Sequence, residues 1–147
     1  MRDLENDVFF VCSLIEYLGR KTKNTKKTIV EKLGYNKIKK IYDLADVYHS
    51  ENIEKITDEL IEENNILIGD YDILKNIKNS NPPSYWDMGK VYQRLVKMIS
   101  SDENDYVNKI LEVMSSWIIP HFDNYDSSLY FESPSYLLAC YKEGKII

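Results

Sequence analysis

Hydrophobic residues recur at spacings of three and four along most of the chain, which is the period of an α-helix with one buried face. The first such run predicts a helix over residues 3–18. Asp3 can cap its start, and Gly19 follows its end. The pattern therefore predicts an opening helix that is covered along one side.

The next apolar runs are shorter and are separated by polar residues. One helix is predicted over residues 26–33, because Gly34 supplies a stop. Asn36 can cap a second helix that runs to residue 49. Ser50 is expected to cap a fourth helix that ends at residues 64–65, since its apolar residues again share one face.

The segment 79–84 contains two adjacent prolines and interrupts the helical pattern. The sequence just before it, residues 66–78, fits either a short extended piece or another helix. Neither side of the break is long enough to bury its apolar faces alone. We therefore expect a single domain over residues 1–147, with a loop or a weak internal boundary at 79–84.

Three more helices are predicted after this break. Ser84 and Asp87 resemble a capping box, Asp102 is expected to cap the second helix, and Ser133 precedes a proline suited to a first helical position. The predicted ranges are 84–99, 102–119 with Pro120 after its end, and 134–143, with a loop or extended segment over 121–132. The whole pattern predicts an all-α fold, an irregular bundle of six to eight helices.

Composition agrees with a folded helical protein. With 44% hydrophobic residues, the chain of 147 residues can bury a sizeable core, and five glycines and four prolines suit helices better than sheets. Cys12 and Cys140 have no metal-binding spacing and indicate free, buried thiols in a reducing compartment. No signal peptide or membrane span is evident, which favours a cytoplasmic protein without a membrane partner.

The sharpest feature outside the core is a reversal of charge. Residues 20–40 carry nine Lys or Arg against one acid, a net of +8, and residues 41–72 carry ten acids against one Lys, a net of −9. Such opposed blocks either solvate helix faces or mark a binding surface. Because the whole chain carries only −5, the average conceals this asymmetry.

We expect a non-enzymatic protein-interaction or regulatory module, similar in role to an antitoxin or immunity protein. Its partner would be another protein, of basic character, because acidic side chains on the fourth helix can steer such a partner. Pairing of two copies through an uncovered apolar stripe is a further option that the pattern leaves open. The predicted acidic binding residues are Glu51, Glu54, Asp58, Glu59 and Glu62.

Nucleic-acid binding is the first alternative, because a cluster of lysines attracts phosphates. Residues 26–36 resemble the first helix and the glycine turn of a helix-turn-helix motif. Lys40 and Asp43, however, occupy the positions where the second helix of that motif needs apolar residues. The residues expected to bind nucleic acid in this alternative are Lys26, Lys27, Lys37, Lys39 and Lys40.

Metal-dependent or acid–base catalysis is the second alternative, and it depends on the two histidines. Asp46 and His49 lie three residues apart on one predicted helix and can share a metal ion, although a complete site needs more ligands. His121 lies near Asp123, Tyr125 and Asp126 in an aromatic segment, which suits proton transfer. No nucleophile motif or phosphate loop accompanies them, so we expect no cofactor, no metal and no catalytic residue.

The segments FFVCSLIEYLGRKT and KKIYDLADVYHSENI resemble small, uncharacterised helical proteins of Firmicutes. The shared features are an Ile15–Glu16 pair in the opening helix and a Tyr42–Asp43 pair in a later helix, and the likeness covers residues 8–65. Some of those proteins are encoded by genes that lie near toxin or mobile-element genes. The resemblance implies a bacterial, helical protein and no catalytic residues.

Overall fold

The computed structural model describes residues 2–147, and within this range the chain forms α-helices and no β-strand. Two single-turn 3-10 helices, Glu103–Asp105 and Leu129–Phe131, accompany them. The predicted all-α bundle of six to eight helices is therefore confirmed. The helices are α1 (Leu4–Thr22), α2 (Lys26–Asp43), α3 (Ala45–His49), α4 (Ile53–Glu63), α5 (Tyr85–Ile99), α6 (Tyr106–Met114), α7 (Ile119–Asp123) and α8 (Pro134–Glu143).

Helix α1 lies at the centre of the bundle and packs along α5 and α2, with further contacts to α3, α4 and α6. Its residues from Asp7 to Glu16 are buried except Phe9, so the helix is covered on most sides. Gly89 of α5 meets Ser13 of α1, and a β-carbon at position 89 would overlap Ser13 Oγ. The absence of a side chain at Gly89 is what lets the two backbones approach this closely.

Residues 79–84 form a loop between helices that share one hydrophobic core. The Arg20 Nη2 atom of α1 donates a hydrogen bond of 2.8 Å to the carbonyl of Pro83. The Asn79 side chain donates one of 3.0 Å to the carbonyl of Tyr125. These bonds tie the loop to both halves of the chain.

The helix ends in the first half differ from the sequence prediction. Helix α1 continues through Gly19 and ends at Thr22, and Lys23 caps it with a left-handed φ of 56°. The predicted break at Gly34 is present, because its φ of 77° interrupts the helical backbone and divides α2 into two helical parts; the second part begins directly after this kink, before Asn36. Leu44 then separates α2 from α3, and Asn52 rather than Ser50 caps α4 with hydrogen bonds to backbone amides.

The second half contains two confirmed N-terminal caps and two corrections. Ser133 caps α8 by accepting a hydrogen bond from the Tyr136 amide, with Pro134 in the first turn as predicted. Ser84 and Asp87 form the predicted capping box, with bonds of 2.8 and 3.0 Å between each side chain and the other residue's backbone amide. The predicted helix over residues 102–119 is wrong, because α6 ends at Met114 and α7 begins at Ile119 with Pro120 in its first turn. Residues 66–78 form turns and coil, and 121–132 contain the end of α7 and a 3-10 turn rather than an extended segment.

Candidate functional site

Helix α4 has one apolar and one acidic side. Ile56 and Leu60 are buried against the core, and the carboxylates point outward because they occupy the remaining positions of the turn. All five predicted acidic residues are exposed. A shallow groove of about 440 Å³ runs along this side, and its acidic lining consists of Glu54, Asp58, Glu59 and Glu62.

Few cations neutralise this acidic side. Lys21 of α1 donates a hydrogen bond of 2.6 Å to Asp58 and one of 3.2 Å to Thr57, which fixes α4 to the end of α1. Within residues 2–147, no Lys, Arg or His lies within 4.0 Å of the carboxylates of Glu54, Glu59 or Glu62. Lys55 also lines the groove, so its four carboxylates face one lysine of the lining and the Lys21 ammonium that binds Asp58, and the groove keeps a net negative charge.

Two apolar side chains follow α4 and project into solvent. Leu67 is 77% exposed and Ile68 is 66% exposed, although both are large aliphatic residues. Two backbone hydrogen bonds of 2.8 Å hold the segment that follows this pair. The Gly69 amide donates one to the carbonyl of Thr22, and the Tyr71 amide donates the other to the carbonyl of Lys23. The exposed pair is thus carried by a segment that is hydrogen-bonded to the end of α1.

Asn24 and Gly69 complete this attachment. The Asn24 side chain donates a hydrogen bond of 2.8 Å to the carbonyl of Leu67. A β-carbon at Gly69 would lie 2.6 Å from the carbonyl oxygen of Lys23, so only glycine allows the segment to approach so closely. The end of α1 therefore fixes both the acidic groove and the exposed apolar pair.

The basic segment does not form the continuous surface that the sequence predicts. Lys26 is 2% exposed and lies in the core, so it cannot contact a phosphate, and its assignment to a binding surface is wrong. Lys37 pairs with Glu63 at 3.0 Å, and Lys39 pairs with Asp43 at 2.7 Å. Lys27 and Lys40 remain exposed.

Lys26 belongs to a buried polar cluster around Glu16, which is itself fully buried. The Lys26 Nζ atom lies 3.0 Å from Glu16 Oε1 and also donates to Asp123 Oδ1. Tyr71 donates a hydrogen bond of 2.9 Å to the other oxygen of Asp123. This arrangement joins α1, α2 and α7 with the segment that follows α4.

The remaining contacts of Glu16 come from α1, α5 and the loop after α7. The Tyr92 hydroxyl donates a hydrogen bond of 2.9 Å to Oε1. Oε2 accepts one of 2.8 Å from Arg20 Nε and another from the Tyr125 hydroxyl. Every carboxylate oxygen of Glu16 and Asp123 therefore has a hydrogen-bond partner. Because the cluster satisfies its own groups, its role is to hold the helices together.

The surroundings of Glu16 also govern its protonation. Burial alone would raise its pKa, but the nearby charges of Lys26 and Arg20 and the bond from Tyr125 lower the pKa to about 2. Asp123 differs, because burial raises its pKa above the ordinary value despite the neighbouring ammonium. Glu16 is thus the charged centre of the cluster at neutral pH.

The first histidine lies in an aromatic environment. The ring of His49 is 5.3 Å from that of Phe10 and 5.7 Å from that of Trp86, between centroids. Asp46 is exposed on the same short helix. Across the described part of the chain, no group of three or more His, Cys, Asp and Glu side chains is placed to hold a metal ion.

The second histidine is separated from the acids that are near it in sequence. His121 is exposed and contacts Trp117 edge to face, at 5.6 Å between centroids. Asp123 faces Lys26, and Asp126 accepts hydrogen bonds from the backbone amides of Lys78 and Asn79. The fold therefore does not assemble the acid–base group that the sequence around His121 suggested.

Sequence reasoning missed the exposed pair Leu67–Ile68 and the cluster around Glu16. Both had a signal. Two aliphatic residues before Gly69 fall outside any helical stripe. Glu16 interrupts an apolar run, and Lys26 precedes Ile29 and Val30 at spacings of three and four, which places it on the inward face of α2. A charged residue on a predicted buried face indicates a buried partner, since such residues are rarely buried unpaired.

None of the described helices combines the length and the apolar character needed to cross a membrane. No family model matches the chain, and comparisons with curated proteins and with solved structures found no similar protein.

Proposed function

We propose that this protein is a non-enzymatic interaction module that binds a basic partner protein. The binding surface, which we name the docking face, combines the acidic groove of α4 with the exposed apolar pair. Its residues are Glu54, Asp58, Glu59, Glu62, Leu67 and Ile68.

One observation carries this proposal: the apolar pair is exposed although its backbone is held firmly. Exposed aliphatic side chains on a fixed segment gain from being covered, and little conformational freedom is lost when a partner covers them. The hydrogen bonds from Gly69 and Tyr71 to the end of α1 provide this fixed segment. Leu67 and Ile68 would therefore supply most of the affinity.

The charge of the neighbouring groove supports a basic partner. Glu54, Glu59 and Glu62 face solvent without an ion pair within 4.0 Å in residues 2–147, and with Asp58 they outnumber Lys55, the lysine that lines the same groove. Such a surface attracts positively charged proteins and repels acidic ones, which affects the association rate more than the final affinity. The role fits an antitoxin-like, immunity-like or other regulatory partner, and some of the proteins that residues 8–65 resemble are encoded near toxin genes.

We further propose a bacterial, cytoplasmic setting. Cys12 and Cys140 are free and fully buried, which suits a reducing compartment in which thiols are not paired. The regulatory role would be exercised there, on a basic protein of the same cell.

Affinity capture tests the proposal. The tagged protein is used as bait at low salt, the captured protein is identified by mass spectrometry, and binding is then measured with both purified proteins. A variant with Leu67→Ser and Ile68→Ser should lose most of the affinity, and one with Glu54→Gln, Glu59→Gln and Glu62→Gln should bind more slowly and with less dependence on salt.

A matched control removes three exposed carboxylates from other surfaces, through Glu31→Gln, Asp102→Asn and Glu143→Gln. This control should bind like the wild type. The proposal fails if no basic protein is captured, or if both sets of carboxylate substitutions weaken binding equally.

A further inference from the structure

Phe131 presents its ring to solvent on the side of the molecule where the loop after α7 meets α5. The side chain is 77% exposed. Its ring lies 4.3 Å from that of Tyr130, between centroids, and the Tyr130 hydroxyl accepts a hydrogen bond of 2.9 Å from Asn79. The Phe131 ring therefore packs on the Tyr130 ring, and the hydrogen bond from Asn79 fixes the position of Tyr130.

A cleft of about 390 Å³ opens beside this ring. Tyr130 and Phe131 form one wall, the adjacent prolines Pro82 and Pro83 form another, and α5 forms the third. The proline wall is fixed, because Arg20 donates to the carbonyl of Pro83. A cleft of this volume lies in the range of small-ligand sites.

Two cations of α5 line the cleft, Lys90 and Arg94. They lie four residues apart and so share one face of the helix. Both are exposed, and neither has a carboxylate within 4.0 Å in the described residues, whereas Lys97 on the next turn pairs with Glu5. Asp87 also lines the cleft, and its carboxylate accepts a hydrogen bond of 2.8 Å from the Ser84 amide in the capping box, so two cations face one carboxylate there.

We propose that this cleft binds a nucleotide unit, with the base stacked on Phe131 and the phosphate between Lys90 and Arg94. The Lys90 ammonium lies 5.9 Å from the centroid of the Phe9 ring, but neither Lys90 nor Arg94 has a carboxylate partner in the described residues. A free aromatic face beside such cations is the combination that nucleotides require, because every base has a face that can stack and every phosphate accepts hydrogen bonds from Arg and Lys. The unit is either a free nucleotide or part of a single strand. This site is separate from the docking face and does not depend on it.

Two titrations test the proposal on the full chain. Isothermal titration calorimetry with AMP, adenosine and inorganic phosphate measures the free nucleotide and its parts. Fluorescence anisotropy with a short labelled oligo(dT) measures a single strand. We expect one or both nucleotide probes to bind more tightly than adenosine or phosphate alone, with affinity that falls as salt increases. Binding of AMP indicates a free nucleotide, and binding of oligo(dT) alone indicates a strand.

Single substitutions assign the contacts. Phe131→Ala should weaken the bound probe about tenfold through lost stacking, and Arg94→Gln and Lys90→Gln should weaken it while reducing its dependence on salt. The matched controls are Val47→Ala and Lys32→Gln, which remove an exposed apolar group and an exposed cation outside both proposed sites and should leave binding unchanged. Circular dichroism verifies that each variant keeps its helices.

Three results would overturn the proposal. The first is that neither nucleotide probe binds the wild type. The second is that the Phe131, Arg94 and Lys90 variants bind as the controls do. The third is that poly-glutamate displaces the bound nucleotide as effectively as unlabelled nucleotide, because the cleft would then attract acidic peptides by charge alone.

Discussion

Glu16 and Lys26 form an ion pair of 3.0 Å in which neither side chain is more than 2% exposed. The pair joins α1 to α2 inside the bundle. Moving two charges out of water costs several kcal/mol each, so the pair persists because Arg20, Tyr92 and Asp123 satisfy the remaining groups. The cluster is therefore sensitive to the loss of any one member.

Glu16→Gln should lower the free energy of unfolding by about 3–5 kcal/mol, because the buried charge of Lys26 and the half-buried charge of Arg20 would lose the carboxylate between them. Urea unfolding followed by tryptophan fluorescence measures the change. Glu31→Gln removes an exposed acid and should stay within about 0.5 kcal/mol of the wild type. A loss of similar size in both variants would contradict a buried network.

Acid should weaken the fold in a defined range. The folded pKa of Glu16 is about 2, below the value of about 4.3 for an unfolded glutamate. Its contribution is therefore complete above the unfolded value and is lost as pH falls toward about 2. Asp123 opposes this loss, because burial raises its pKa and its protonation favours the folded state. Urea midpoints measured across this range should fall for the wild type, and Glu16→Gln should show a smaller fall.

Gly89→Ala should cost about 1–3 kcal/mol, because a β-carbon at this position would lie 2.9 Å from the β-carbon of Ser13 and would force α1 and α5 apart. Thermal unfolding measures the effect. Adding Ser13→Gly provides the space again and should restore part of the stability. Additive losses in the double variant would mean that this contact does not limit the approach of the helices.

Gly69→Ala should release the segment that carries the apolar pair, because the new β-carbon would meet the carbonyl of Lys23. Hydrogen–deuterium exchange should then accelerate at the amides of Gly69 and Tyr71, with little change in the core helices. Leu67→Ala is the matched control, since its side chain is exposed and its loss should leave exchange as it was. Unchanged protection at both amides would show that the segment tolerates a side chain.

The two thiols should be unreactive in the folded protein. Cys12 and Cys140 are both fully buried, and burial raises the pKa of the Cys12 thiol well above its ordinary value. Labelling with iodoacetamide, followed by mass spectrometry, should therefore detect modification only after urea is added. Rapid labelling of either thiol without urea would indicate that α1 or α8 opens locally.

The helical pattern predicted most of the fold because each helix carries a local signal. The capping box of Ser84 and Asp87 lies within four residues, and the stop at Gly144 is a left-handed residue of φ 78° next to the last helix. The break after Met114 has no such signal, because the apolar spacing continues through residues 115–118. There the packing of α6 and α7 decides the helix ends, and the sequence pattern does not contain that information.

The sites depended on contacts between residues that are distant in the sequence. The acidic residues of α4 were predicted to be exposed from periodicity alone, and they are. The basic neighbours of Lys26 in the sequence predict a basic surface, whereas its partners Glu16 and Asp123 lie elsewhere in the chain. Local composition identifies charge, but burial depends on which helices pack together.

The position of Tyr125 and Asp123 has a consequence for how the chain becomes ordered. Asp123 accepts a hydrogen bond from Lys26 of α2, and Tyr125 donates one to Glu16 of α1. A fragment that stops before α7 would therefore bury Glu16 and Lys26 without these two partners. The first half should therefore gain its final packing only when the late segment arrives. Assembly should be cooperative from end to end, with little population of half-folded chains.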